Sequence, residues 1–123
     1  MSDIENWLYS QKLTTPEQAA ELVKPGDMIF YGEFVLFPVA CDEALAKRIP
    51  ELNNLDLRSI CFTRVPKVIE ADPKRQHIVM NDYHFGLASR RLYDKDMCSY
   101  IPVTYHQGPR LLRKYTDYDV VFI

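Results

Sequence analysis

Glycine is scarce in this chain, with four in 123 residues and none arranged as GxGxxG or as a P-loop. Both of those loops need backbone to approach a phosphate closely, which glycine permits, so a self-contained dinucleotide or nucleoside triphosphate site is set aside. Cysteine is scarce as well: Cys41, Cys61 and Cys98 stand singly with no CxxC pair, which argues against a zinc site and a disulfide framework and suits a reduced, cytoplasmic setting. Neither sign of charge dominates. The 15 Lys and Arg against 17 Asp and Glu leave a formal net charge of -2, so no whole-chain attraction points to nucleic acid or an anionic membrane. The short basic clusters "SRRLYDK" and "PRLLRK" read as solvated helix faces. Long apolar runs are missing from the start of the chain. "MSDIENWLYSQK" carries acids and no sustained apolar core, unlike a signal peptide or a membrane span.

What remains is ordinary globular material, 47% hydrophobic and 26% charged, enough for one domain with a single core. "DIENWLYSQKL" reads as a short helix with Ile4, Trp7, Leu8 and Leu13 on one side. In "TTPEQAAELVKPGD", Thr15 is an N-cap, Pro16 takes the first helical position, and Gln18 completes a capping-box spacing. Ala19, Leu22 and Val23 supply its buried stripe, and Pro25-Gly26 ends it. Strands follow at "DMIFYG", "LDLRSICFTRV", "HIVMND", "CSYIPVTY" and "DVVFI", with helices between them at "CDEALAKRIPEL", "GLASRRLYDKD" and "GPRLLRKY" and a short helical turn in "PKVIEADPKRQ". This alternation predicts an α/β fold, an open, mostly parallel sheet with helices on both faces. Val120, Val121, Phe122 and Ile123 read as the start of a strand buried on both faces, a sheet truncated at its C-terminal strand.

Ligands of such sheets bind beyond the carboxyl ends of the strands, which singles out residues 32–40, 81–89 and 105–110. The loop "GEFVLFP" stands out. Gly32 allows close backbone approach, Glu33 adds a carboxylate, and Phe34 to Phe37 are unusually apolar for a loop, either filling the core beneath the sheet end or facing a ligand. His84 with Gly86, and His106 with Gln107 and Gly108, precede helix starts that present N–H groups to an anion or carbonyl oxygen; the glycines equally serve the turns alone. The spacings of His77, His84 and His106 place no two on one helix face, so no metal site is expected. Cys61 within an apolar strand and Cys41 on a helix face read as small hydrophobes rather than nucleophiles.

The order of motifs "LTTPEQAAELVKPGDMIFYG", "ALAKRIPELNNLDLR" and "HFGLASRRLYDKDMCSYIPVTYHQGPRLLRKY", then "DYDVVFI", resembles the N-terminal part of the acetyl-CoA hydrolase/transferase family, in its butyrate- and 4-hydroxybutyrate-type CoA-transferase branch. The resemblance implies a longer enzyme of two related α/β halves with the active site between them. It implies a glutamate nucleophile in the second half, an acyl-glutamyl anhydride, then an enzyme-CoA thioester, with coenzyme A as substrate and no permanently bound cofactor. No residue here matches that glutamate, so no catalytic residue is assigned and Glu33 is not promoted to the role. Gly32, Glu33, Phe34 and Pro38, with His84, Gly86, Gln107 and Gly108, become candidate substrate contacts. The expected partners are an acyl-CoA, a short-chain carboxylate, the C-terminal half of the same enzyme and a further copy of it. The rival readings are a hydrolase of the same family and a non-catalytic α/β module that binds a ligand or partner.

Overall fold

A computed structural model describes residues 3–123. Helix α1 (Asp3–Lys12) places acids in its first turn and Lys12 in its last, which suits the helix dipole. Its expected apolar stripe buries nothing: Ile4, Trp7 and Leu8 are all exposed. Helix α2 (Pro16–Ala20) starts on the expected capping box, with the Gln18 amide N–H donating to Thr15 Oγ1 at 3.2 Å and the Thr15 N–H to Gln18 Oε1 at 3.1 Å. The helix stops at Ala20, so a stripe extrapolated past its end misplaces Leu22. That residue is 65% exposed, whereas Val23 is buried as expected, Ala19 is half-buried against the core and Ala20 is buried in addition.

Five strands follow, β1 (Met28–Tyr31), β2 (Leu55–Ser59), β3 (Ile78–Asp82), β4 (Ser99–Tyr100) and β5 (Val120–Phe122), in the order β4-β3-β2-β1-β5. Every neighbouring pair is parallel. The crossovers run through α3 (Val39–Ala46), α4 (Lys67–Glu70), α5 (Leu87–Tyr93) and α6 (Gly108–Tyr115). From β1 to β4 the chain steps one way across the sheet, so right-handed crossovers put α3, α4 and α5 on one face, where α2 packs against α3. The return to β5 reverses direction and sends α6 to the other. Phe30, from the second face of β1, lines one small cavity together with Leu111 and Leu112 of α6. The expected α/β sheet is therefore present and wholly parallel, with one face well covered and the other thinly.

Alternation along the strands aims Ile29, Tyr31, Leu57 and Met80 into the covered face, against Leu45, Ile49 and Val68. Three expectations are corrected. The second strand ends at Ser59, and Cys61, at φ 59°, sits in a turn beyond it. The fourth strand keeps two residues of "CSYIPVTY", since Pro102 has no N–H to continue a ladder. β5 buries one face only: Phe122 is inside, whereas Val121 is 51% exposed because α6 leaves its side of the sheet open there.

The buried charged residues among those described are three aspartates. Asp42, on α3, accepts the Tyr31 hydroxyl at 3.2 Å and the N–H groups of Lys67 at 2.7 Å and Val68 at 3.3 Å, which start α4. Asp72 accepts the N–H groups of Gln76, His77 and Ile78 at 2.7–3.0 Å and so shapes the turn into β3. Asp82, the last residue of β3, is fully buried.

Burial alone would raise the Asp72 carboxyl, but the N–H groups of Gln76, His77 and Ile78 outweigh it and hold the group below its ordinary value. At Asp42 burial prevails over the donors Lys67, Val68 and Tyr31 and raises the carboxyl. A carboxyl lowered by folding contributes stability that is complete above its unfolded pKa and lost as pH falls through its folded value; a raised one loses its contribution as pH rises. Asp72→Asn should therefore cost about 1–3 kcal/mol at about pH 7. The gap should shrink as pH falls below the ordinary aspartate value of about 3.9. Urea midpoints measured along that range check this; a gap that stays constant would refute the assignment.

Candidate active site

Beyond the carboxyl ends of β1 to β4, on the α6 side, lies a cleft of about 270 Å³. Its lining comes from all four strand ends: Glu33 after β1, Ile60 after β2, Tyr83 and His84 after β3, and Val103, Thr104 and Tyr105 after β4, closed by Gly108, Pro109 and Leu112 of α6. His84, Thr104 and Tyr105 are exposed at the mouth, whereas Tyr83 is buried and Ile60 and Val103 half-buried. A narrower space of about 60 Å³ continues past Glu33, Ile60, Tyr83, Val103, Gly108 and Leu112 and is closed by Phe30 and Leu111.

Two ties fix the loops around this cleft. The Tyr105 hydroxyl donates to Glu33 Oε2 at 3.4 Å, joining the β1 loop to the 3-10 turn Tyr105–Gln107. Asp82, fully buried, accepts the N–H groups of Cys61 at 3.0 Å and His84 at 3.1 Å through Oδ1, and the Ser89 hydroxyl through Oδ2. One carboxylate thus ties together the loops after β2 and β3 and the start of α5. The wall formed by Tyr83 is held from behind, where Arg58 donates to its hydroxyl at 2.9 Å and the Tyr118 hydroxyl lies 3.1 Å away. Burial, the largest cause, and Asp82 raise the Cys61 thiol, and burial pushes that of Cys98 up to about 12. Both remain protonated at neutral pH, unlike activated nucleophiles. Nδ1 of His77 lies 2.7 Å from the Leu52 carbonyl, a structural contact away from the cleft.

The structure brings Glu33, His84 and Gly108 together in the cleft and distributes the other candidates around it. Gly32 makes the β1 loop possible: a Cβ there would lie 2.4 Å from the Leu36 carbonyl oxygen. The loop forms the 3-10 turn Phe34–Leu36, with Phe34 in the left-handed region at φ 50° and its carbonyl accepting the Thr63 hydroxyl at 3.2 Å. Of its apolar run Phe37 alone enters the core, edge-on to Tyr31 and Phe62 and beneath the Arg64 guanidinium. Pro38 lines a separate groove of about 490 Å³ with Val35, Leu36, Cys41 and Ile123, between the ends of β1 and β5. Gly86 lies against the β2 loop, where a Cβ would meet the Phe62 carbonyl oxygen at 2.8 Å and Cys61 Sγ at 3.0 Å. Gln107 caps the turn that precedes α6 through a capping box with Thr104. Ile60, Val103 and Leu112 line the cleft from outside the segments singled out in the sequence, and Tyr83 and Tyr105 from within them, although neither was named as a candidate. Ile60 and Val103 were legible only as continuing strand, although each lies just past a strand end.

A wholly parallel α/β sheet whose strand ends and adjoining loops surround a cleft is a ligand-binding architecture with its site at the carboxyl edge. Within that class, the chain belongs to the acetyl-CoA hydrolase/transferase family, whose N-terminal domain matches residues 4–123. It is 34% identical over 110 residues to butyryl-CoA:acetate CoA-transferase of Anaerostipes caccae, covering 89% of this chain and 25% of that protein. It is 32% identical over 115 residues to succinyl-CoA:cyclohexane-1-carboxylate CoA transferase of Geobacter metallireducens, covering 91% and 25%. Among solved structures it resembles RipA from Yersinia pestis, with TM-score 0.69 and 26% identity over 92% of this chain and 28% of that one. The chain thus spans about a quarter of the length of the curated relatives it matches.

The three strand-end glycines separate in a direct test. Gly32→Ala and Gly86→Ala place a methyl group inside contact distance of backbone and should each cost about 1–3 kcal/mol. Gly108→Ala meets nothing within 4 Å at a helical φ of -50° and should be neutral or stabilising by up to about 1 kcal/mol. Equal losses at all three positions in denaturant titrations would contradict this division.

Proposed function

We propose that the chain forms the N-terminal α/β part of a CoA-transferase that moves CoA between a short-chain acyl-CoA, of acetyl or butyryl type, and a carboxylate. The observation that carries this reading is the match to butyryl-CoA:acetate CoA-transferase over 89% of the chain. In this reading a second α/β half supplies a glutamate whose carboxylate attacks the thioester carbonyl carbon and expels CoA as thiolate. The thiolate then attacks the glutamyl carbonyl of the resulting anhydride, releasing the first carboxylate and leaving an enzyme-CoA thioester. An incoming carboxylate resolves it through the reverse steps.

The part played by residues 3–123 is binding and exclusion of water. The apolar cleft surrounds the acyl group while Glu33, His84 and Tyr105 stand at its mouth, and the β1 loop separates it from the Pro38 groove. Holding the acyl group at a fixed place converts a bimolecular attack into an intramolecular one, and keeping water out directs the thioester to a carboxylate rather than to hydrolysis. CoA enters and leaves as substrate. The three cysteines are free, which suits a reducing cytoplasm.

The open reading frame that contains these residues, expressed as the cell makes it, should form acetyl-CoA from butyryl-CoA and acetate with ping-pong kinetics, while residues 1–123 alone should not. Release of free CoA without acetyl-CoA would replace the transferase by the hydrolase reading. Neither product from the whole reading frame would remove both.

A further inference from the structure

The cleft differs from its surroundings in how its chemistry is distributed with depth. Its exposed polar side chains, His84, Thr104 and Tyr105, line the cleft alone, the half-buried Glu33 lines both the cleft and the narrower space beyond it, and the rest of their shared wall is Ile60, Val103, Leu112, Gly108 and the ring of Tyr83. Past these the space narrows to about 60 Å³ and stops against Phe30 and Leu111. The stop is firm, since the Phe30 ring packs on Tyr118 at a centroid distance of 5.1 Å and Tyr118 is tied through its hydroxyl to Tyr83. No lysine or arginine lines either space. At about 270 Å³ the cleft lies at the lower limit of small-molecule sites, too small to enclose a nucleotide and suited to an alkyl chain.

We propose that Leu112, with Phe30 and Leu111 behind it, measures the length of an unbranched acyl tail entering from the mouth and that the cleft rejects acyl groups with a second carboxylate at the far end. This rests on the transferase reading above. The thioester lies at the mouth, near His84 and Tyr105, and the tail points inward past Glu33. Each methylene added to the tail gains apolar burial until the chain reaches the stop, after which it meets packed rings. A terminal carboxylate would be desolvated against a mostly apolar wall, with no cation to pair it and the Glu33 carboxylate to repel it.

The test uses the whole reading frame and compares kcat/KM for acetyl-, butyryl-, hexanoyl- and succinyl-CoA in the native enzyme, Leu112→Ala and Leu112→Phe. Leu112 is 46% exposed and α6 buries none of its residues, so both substitutions are compatible with folding. Leu112→Ala should raise the hexanoyl-to-butyryl ratio about tenfold, Leu112→Phe should lower the butyryl-to-acetyl ratio by a similar factor, and native enzyme should use succinyl-CoA at least about tenfold less well than butyryl-CoA. A merely structural role would lower all four substrates together. Exchange with ratios unmoved by either substitution, or succinyl-CoA used as well as butyryl-CoA, overturns the length gauge and leaves the transferase reading standing. Absence of exchange with every acyl-CoA overturns both.

Discussion

Parallel strands require long crossovers, and each crossover returns backbone N–H groups to the edge of a sheet where packing keeps water from serving them. In this protein the acceptors are the carboxylates of Asp42, Asp72 and Asp82, each out of solvent and each bonded to loop or helix-start N–H groups. A hydrogen bond to a charged acceptor is worth about 1.5–3 kcal/mol where a neutral one is worth about 1. An unpaired buried carboxylate, by contrast, would be strongly destabilising. Each carboxylate is therefore stable in its place only together with its own donors. Asp42 starts α4, Asp72 leads from α4 into β3, and Asp82 ends β3 by holding the loops that border the cleft. The middle of the fold is in effect specified by three side chains.

None of the three is conspicuous in the sequence. Periodicity and punctuation are local signals, and they located all five strands and the major helices because alternating apolar residues, Pro16, Pro109 and the Thr15 capping box act within a few residues of themselves. Asp42 and Asp82 act across separations of 25 and 21 residues, on Lys67 and Cys61. An aspartate in a helix pattern ordinarily reads as solvated, so its burial becomes visible only when the partner segment is in place. The short fourth strand and the exposure of Leu22 have the opposite origin: local patterns were extended past the residues where Pro102 and the end of α2 stop them.

The candidate cleft was legible to the extent that topology alone places it. Strand-end logic brought Glu33, His84 and Gly108 to one cleft from three separate loops, because in a parallel sheet every strand end opens on the same edge. It was less informative about which glycine serves which purpose. Gly32 and Gly86 are required by contacts with Leu36, Cys61 and Phe62, whereas the backbone at Gly108 is unobstructed. The apolar wall remained hidden for a chemical reason. Ile60, Val103 and Leu112 are the residue types that build cores, and only the thin packing of α6 over the second face leaves a space between them.

That thin packing is balanced by a polar layer. On the second face of β2 and β3, Asp56 accepts Arg58 at 2.7 Å and Asn81 at 2.7 Å, and Arg58 reaches on to Tyr83. Burial would lower the Arg58 pKa, but Asp56 and Tyr83 more than compensate, so the guanidinium stays charged in its half-buried place. A partly solvated pair of this kind contributes modestly to net stability, at most about 1 kcal/mol. Its consequence is geometric instead. The planar guanidinium engages Asp56 through two nitrogens and Tyr83 through the third, which fixes the direction of the Tyr83 ring from the middle of the sheet. An apolar face would bury more surface but would leave that ring free to swing into the cleft. The polar layer gives up some packing on the second face and in return keeps one wall of the cleft in place.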